Sequence, residues 1–540
     1  MATQIQADEP AQANGLPRGG GIVLAAALVA VFIAALDLTV IATILPTIVY
    51  DLGVNVGEID RYSWIVSGYL LAYLITIPIM GRLSDLAGRR LVFLVALLIF
   101  TVGSVWCVLA RTLEAVIAAR ALQGLGGGAL VPVTLALAAD LLPRERRAAA
   151  VGAIGAIDTL GWVLGPLWGA AIIGLLGTSS LGPIASWRWV FAINGPLALV
   201  VAVLLILTWR RAAIPEHRAG GRFDWLGALL LTLSLVLLNL AISSGAESSA
   251  GGSRAFGAAA NPFAPYRAPL LIGAACAFVA FLVLELRVAG PLIPLTLFHN
   301  RVFSAATVAN FLVGAALIVV MVDVPILVAL LASDTATAST ISALLLTPFT
   351  AAMAIGALGG GIVTERLGYR TLATAGLVLA AVGFWRFWGW PVALAYGRMA
   401  IDLTLCGLGL GLVIAPVGTA AINHAPRPAL GIASSLVMVL RLLGMTVGIS
   451  GLTAWGSDRL NQAIVALPPL AQQPGETLAA YYTRQAQFAA EQTITLTAGI
   501  LHETFAIAGV VCLVAVIPAL MLGSRRSLTA AEPPVMRGLR

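Results

Sequence analysis

Five ionisable side chains stand inside apolar runs that could otherwise carry no charge: Asp37, Arg120, Asp158, Asp323 and Arg441. A charge in hydrocarbon costs about 3 kcal/mol or more, so each is a functional candidate unless a partner within the protein explains it. Proton relays, substrate positions and buried ion pairs are the chemistries such residues serve. Asp37 lies mid-run in the segment Leu36–Pro46. Arg120 shares a helix face with Gln123 and Gly124, at spacings of three and four. Asp37 and Arg120 can pair, either as a permanent structural pair or as a proton-sensitive one. Asp158 heads a stripe with Gly161, Gly165 and Gly169, which would place the acid on a close-packing face away from lipid, where it can titrate. The glycines themselves fit ordinary helix packing. Asp323, two residues before Pro325, and Arg441, mid-run in Leu436–Met445, lack local partners. Tertiary ion pairing and a role in coupling are both open for them. Asp402 has Arg398 four residues earlier at a helix end, which reads as a surface pair, and Asp140 reads as interfacial. The four histidines are dispersed and suggest no metal set, and no P-loop, nucleophile elbow or dinucleotide fingerprint occurs, so enzymatic or ATP-driven chemistry is disfavoured.

The elements that position these residues must be membrane helices. Of 540 residues 60% are hydrophobic and 10% charged, and the mean hydropathy is +0.99, far from any soluble domain. At about twenty apolar residues per span, some fourteen spans begin near residues 21, 60, 91, 113, 147, 187, 223, 268, 302, 337, 371, 399, 428 and 496. Net charge is +7, but the arginines are scattered over short loops with no basic stripe for nucleic acid. Arg89, Arg90, Arg144, Arg146, Arg147, Arg210, Arg211, Arg218, Arg222, Arg525 and Arg526 fall on one side, which predicts that side and both termini to be cytoplasmic, in an inner membrane. Trp187, Trp189, Trp385, Trp388 and Trp390 near the opposite helix ends suggest an interfacial belt. The four cysteines sit singly in apolar runs as small hydrophobes.

Between two spans lies a charged hinge, Gly81, Arg82, Leu83, Ser84, Asp85, Leu86, Ala87, Gly88, Arg89 and Arg90. Its glycines, acid and last arginine recur at identical offsets in Gly361–Arg370, with Glu365 and Arg366 answering to Asp85 and Leu86. An internal repeat of this kind marks secondary transporters, and the roughly eight spans between the two loops place both on one membrane side. The expected organisation is a tail over 1–20, a six-helix half over 21–210, an inserted helix pair with linkers over 211–301, a second six-helix half over 302–523, and a tail over 524–540. Residues from about Ser243 to Arg267 read as a flexible external loop. A helix from Pro428 to Ala466 would be about 58 Å long, so an external extension at about 456–495 is expected, either helical or a structureless loop.

These residues resemble the major facilitator superfamily. Gly81–Arg90 looks like its cytoplasmic loop motif, Arg120–Gly124 like its fourth-helix motif, and Gly161–Gly169 with Pro166 like the fifth-helix motif of antiporters. Leu36–Thr39 and the inserted pair are similar to the fourteen-helix drug:proton antiporter branch. Trp64–Val66, Gly128–Leu137, the acid at Asp158 and Ala433–Leu436 before Arg441 resemble the mycobacterial triacylglyceride exporters within it. Asp158 stands where that subgroup has glutamate, Ala42 where many drug exporters have asparagine, and Ala170 in place of a closing glycine.

The resemblance implies a proton-coupled, alternating-access exporter of hydrophobic or lipidic molecules, triacylglyceride-like lipid among them. It needs no cofactor beyond the proton gradient and works as a monomer, with membrane lipid and a periplasmic lipoprotein carrier as partners. Asp37, Arg120, Asp158, Asp323 and Arg441 would serve coupling. Gly81, Arg82, Asp85, Gly88, Arg89, Arg90, Gly161, Gly165, Pro166, Gly169, Glu365 and Arg366 would serve gating, with Asp85 as a latch on the helix that begins near Pro428. A multidrug:proton antiporter and a non-transporting scaffold are the competing classes, separable by lipid phenotype and by substrate-dependent proton flux.

Overall fold

The computed structural model describes residues 19–53, 64–176, 186–209, 221–249, 264–288, 290–331, 335–390, 396–466 and 477–523. Fourteen α-helices occupy them: α1 (Gly20–Asp51), α2 (Trp64–Ala87), α3 (Arg89–Leu109), α4 (Leu113–Leu141), α5 (Arg144–Leu176), α6 (Ser186–Trp209), α7 (Trp225–Ser249), α8 (Arg267–Glu285), α9 (Arg301–Leu331), α10 (Thr335–Leu367), α11 (Tyr369–Trp388), α12 (Tyr396–Asn423), α13 (Leu430–Val465) and α14 (Leu478–Leu520). There is no strand among the described residues. Thirteen helices are long and apolar enough to cross a membrane, and the apolar part of α7, Trp225–Ala241, is shorter. In hydrocarbon every backbone N–H and C=O must be satisfied within its own segment, which is why these apolar runs are helices.

α1 to α6 pack on one another, as do α9 to α14, and α7 and α8 form a hairpin whose α7 leans on α2 and α13. The two bundles meet through α2 with α13 and α5 with α10, assisted by α4 and α12. Small residues permit the approach. A methyl group added at Gly81 would stand 2.7 Å from the Gly431 carbonyl oxygen, and one added at Gly361 would stand 2.7 Å from that of Ala148. The two repeated loops therefore touch the opposite bundle in the same way. Gly88 and Gly368, with φ of 97° and 83°, make the same turn in each, in a region that disfavours other residues.

Two expectations need correction, and one alternative is decided. The segment read as a loop from Ser243 is helical to Ser249, and α8 already begins at Arg267; residues 250–263 lie outside the described set. The extension expected at about 456–495 is helical where it is described: the helix of the last span begins at Leu478, ahead of the apolar run near 496, because Leu478–Gln492 is polar by membrane standards yet free of helix breakers. At 1.5 Å per residue α14 is about 64 Å long and α13 about 54 Å, so both extend beyond a hydrocarbon layer. Trp187 and Trp390 are buried rather than interfacial. Their indoles donate to Asp51 at 3.1 Å and to Asp402 at 3.0 Å, which gives each bundle a Trp–Asp contact beside an arginine, Arg188 or Arg386. Trp385 and Trp388 are exposed.

Candidate functional site

Within the first bundle Asp37 of α1 and Arg120 of α4 are both fully buried and joined at 2.5 Å. Arg120 Nη1 also donates to Gln123 Oε1 at 2.8 Å, while Gln123 Nε2 reaches Asp37 Oδ1 at 3.1 Å and Ser104 Oγ at 2.7 Å. Asn194 of α6 donates to Asp37 Oδ1 at 2.8 Å, and the guanidinium lies 4.0 Å over the ring of Tyr69. Four helices and α2 thus hold one charge pair with nearly every polar atom used. The shared face of Arg120 and Gln123 was legible in the sequence, whereas Ser104, Asn194 and Tyr69 come from other helices and carried no signal beyond being polar or aromatic in apolar runs.

Asp158 behaves differently. It lines a small cavity of about 30 Å3 between the bundles, together with Thr159, Trp162, Leu317, Met353, Met438 and Arg441. Its Oδ1 has no hydrogen-bond partner, and no ion pair links it to Arg441 among the described residues. Arg441 Nε instead donates to Asn310 Oδ1 at 3.3 Å. An acid and a base from opposite bundles thereby face one apolar chamber. The glycines of the same stripe turn to α1: a methyl at Gly161 would meet Ala35 Cβ at 2.5 Å, one at Gly165 the Leu36 carbonyl at 2.6 Å, and one at Gly169 Val40 Cγ2 at 2.9 Å. They are packing residues, and the structure separates them from the acid. Pro166 lies inside α5 and withholds a backbone donor from the Trp162 carbonyl, next to the cavity.

Asp323 of α9 also lacks an ion-pair partner among the described residues and contacts Thr504 of α14. Asp402 is fully buried rather than a surface partner of Arg398: Arg386 holds it at 2.5 Å and Arg398 stands at 3.8 Å.

At the end of the molecule that bears the repeated loops, Asp85 accepts from the Gly431 and Ile432 amides at 2.8 and 3.0 Å. These are first-turn donors of α13, where the helix has no internal partner for them and its dipole favours an anion. Arg89 bridges Asp85 at 2.6 Å, Ser84 at 2.7 Å and Asp140 at 3.1 Å. Asp140 therefore belongs to this charged cluster rather than being merely interfacial, a contact invisible without the packing of α3 on α4. Arg82 is buried near Glu285, and Arg90 is half-buried. Glu365 and Arg366, the repeat's counterparts, are exposed without hydrogen bond or ion pair among the described residues. Their neighbourhood is tied otherwise: Arg147 donates to Asn423 Oδ1 at 2.9 Å, and Asn423 donates to Tyr369 Oη at 2.8 Å.

Comparison with known proteins agrees with this geometry. Residues 27–449 match the model of the Major Facilitator Superfamily. A triacylglyceride transporter of Mycobacterium tuberculosis (strain H37Rv) is 37% identical over 539 residues, covering 96% of this chain and 97% of the relative. One from Mycolicibacterium hassiacum is 36% identical over 526 residues, covering 94% and 92%. Among solved structures, the human organic anion transporter MFSD10 superposes with a TM-score of 0.57 at 15% identity over 93% of this chain and 99% of its own. The proton:xylose symporter XylE gives 0.54 at 14% identity over 94% and 98%. These two likenesses concern the fold alone. The chain belongs to the major facilitator superfamily, a family of transporters, and is a multi-pass membrane protein.

Proposed function

We propose that this major facilitator superfamily member exports triacylglyceride-like or similar lipidic molecules in exchange for protons, with the arginine-rich end and both termini in the cytoplasm of an inner membrane. The observation that carries the reading is the apolar cavity between the bundles with Asp158 and Arg441 on its opposite walls. At about 30 Å3 the chamber is closed to any lipid here, and its leucine and methionine walls suit a lipidic substrate once the bundles part. An acid without a fixed counter-ion can take a proton on one face of the membrane and release it on the other. While ionised, Asp158 attracts Arg441 across the chamber; protonated, it no longer does, so the proton changes the force between the bundles. That supplies the differential interaction an alternating-access cycle requires. The names of the mycobacterial relatives support the substrate class.

The latch of Asp85 on α13 closes the end that we assign to the cytoplasm, as an outward-facing stage would need. In this reading the halves 21–210 and 302–523 rock about the cavity, the pair within 211–301 rides beside them, and α13 and α14 carry lipid beyond the bilayer toward a lipoprotein carrier.

Purified protein in proteoliposomes, loaded with a fluorescent triacylglyceride and a pH-sensitive dye, tests this. Lipid movement that consumes an imposed proton gradient, and that is lost in Asp158→Asn, is the expected result. Lipid movement indifferent to the gradient removes the coupling, and drug efflux without lipid movement favours a multidrug antiporter instead.

A further inference from the structure

The contact between Asp323 and Thr504 makes a second demand on protons, away from the charged pair in the cavity. Thr504 Oγ1 stands 2.8 Å from the Leu501 carbonyl on its own helix and 2.6 Å from Asp323 Oδ2 on α9. A threonine hydroxyl has one proton to give and lone pairs to receive, while a backbone carbonyl only accepts. Giving the proton back to a carbonyl of the preceding turn is the usual habit of a threonine inside a helix, and Thr76, Thr134 and Thr364 do so here at 2.8, 2.7 and 2.5 Å. With the proton of Thr504 engaged in that way, the 2.6 Å contact is a hydrogen bond only if the carboxyl of Asp323 is protonated and donates. An ionised Asp323 would compete with Leu501 for a single proton.

The surroundings offer an ionised form little help. On α13, Arg441 is directed to Asn310 and Arg459 to Glu503, at 3.3 and 3.8 Å. On α14, His502 lies two residues before Thr504, about 200° around the helix, beside Phe505. On α12, Asp402 is held by Arg386 and Trp390, and on α10, Glu365 and Arg366 are exposed at the latch end. We infer that Asp323 is a second proton-binding residue, seated in the C-terminal bundle and held in its acid form by Thr504. Its site is separate from Asp158, and its use in transport rests on the proton-coupled reading above. Release of the proton would reverse the side-chain bond between α9, whose Met321 lines the cavity, and α14, the helix that extends beyond the membrane, and draw the Thr504 proton away from the Leu501 carbonyl.

The two possible hydrogen-bond senses predict opposite outcomes. The full chain in lipid nanodiscs is titrated by infrared spectroscopy in H2O and D2O, following the C=O stretch of protonated carboxyl groups. Asp323→Asn should delete one titrating band that Asp158→Asn retains. Thr504→Val, which removes the acceptor of the acid's proton, should move the midpoint of that band to lower pH by about one unit, and Thr504→Ser should restore it. A shift to higher pH with Thr504→Val, or a spectrum unchanged by Asp323→Asn, overturns the inference. Proton-driven lipid movement in vesicles of the same variants separates the two claims. A transport rate indifferent to the gradient defeats the exporter reading while the band still reports the proton site. Intact coupling without the band defeats the site alone.

Discussion

Arg147 of α5 donates to Asn423 of α12 at 2.9 Å, joining the two bundles opposite the Asp85 latch. The repeat in the sequence would have given this second joint to Glu365, but α5 begins Arg144, Glu145, Arg146 and Arg147, and a guanidinium takes over the reach between the bundles. A hydrogen bond to a charged group contributes about 1.5 kcal/mol or somewhat more. Asn423→Ala should therefore open this end roughly tenfold more often, seen as faster labelling of a cysteine placed on the inner faces near Gly155 or Ile414. Labelling at the wild-type rate would mean that small-residue packing alone keeps the end shut.

Asp85→Asn keeps the shape of the latch but removes the charge that the first turn of α13 and Arg89 both favour. A helix-terminus interaction of about 1 kcal/mol predicts a severalfold shift toward forms open at the latch end. Double electron–electron resonance between labels on α2 and α13 near that end should show the longer distance gaining population. An unaltered distance distribution would exclude the latch as a gate.

Close approach at Gly361 is a steric condition for the closed end. A branched side chain there cannot coexist with the Ala148 carbonyl, because even its first carbon would stand 2.7 Å away. Gly361→Val should yield folded protein that never closes this end and transports at a small fraction of the wild-type rate. The same substitution at Gly359, which faces open space, should leave transport intact and serves as the control.

The sequence made the order of helices and most of their starts legible, because an apolar run in a membrane has one stable backbone solution. It also exposed the loop repeat, since turns need glycine where φ is positive, as at Gly88 and Gly368. What it concealed is tertiary. Asn194, Ser104 and Asn423 are single polar residues whose partners lie 157, 19 and 276 positions away, and nothing local distinguishes them. Asp402 looked like a surface acid because Arg398 sits one turn before it, yet Arg386 and Trp390 from the preceding helix and its end bury it. The extension before the last span stayed open between helix and loop because Tyr481, Arg484 and Gln485 fail a membrane criterion while remaining good helix sequence.

Asp37 and Asp158 were equal candidates by sequence, and the structure divides them. Removing one partner of a buried ion pair typically costs about 3–5 kcal/mol, since the other charge is left stranded. Asp37→Asn should lower thermal stability markedly, because Arg120 stays buried with neutral acceptors and the rings of Tyr69 and Phe191 but no counter-charge. Asp158→Asn should leave stability within about 1 kcal/mol, as Asp158 Oδ1 has no partner to lose. Scanning fluorimetry in detergent measures both. If the two variants melt alike, the Asp37 network is not the structural element described here.

The outward lengths of α13 and α14 bear on the substrate. A triacylglyceride gains little from an aqueous exit but can follow an apolar surface that rises above the bilayer, and Ile464, Leu478 and Tyr482 are exposed along these two helices. Arg459 and Glu503, 3.8 Å apart, line a second cavity between the two helices with Gln462, Ala463 and Thr495. A small hydrophilic drug has no use for such a path. Replacing 461–492 with a short flexible linker should therefore reduce lipid export, and transfer to any lipoprotein carrier, at least tenfold while folding and the Asp85 latch persist. Full lipid export by the shortened chain would reduce the extension to a spacer and shift the balance toward a multidrug antiporter.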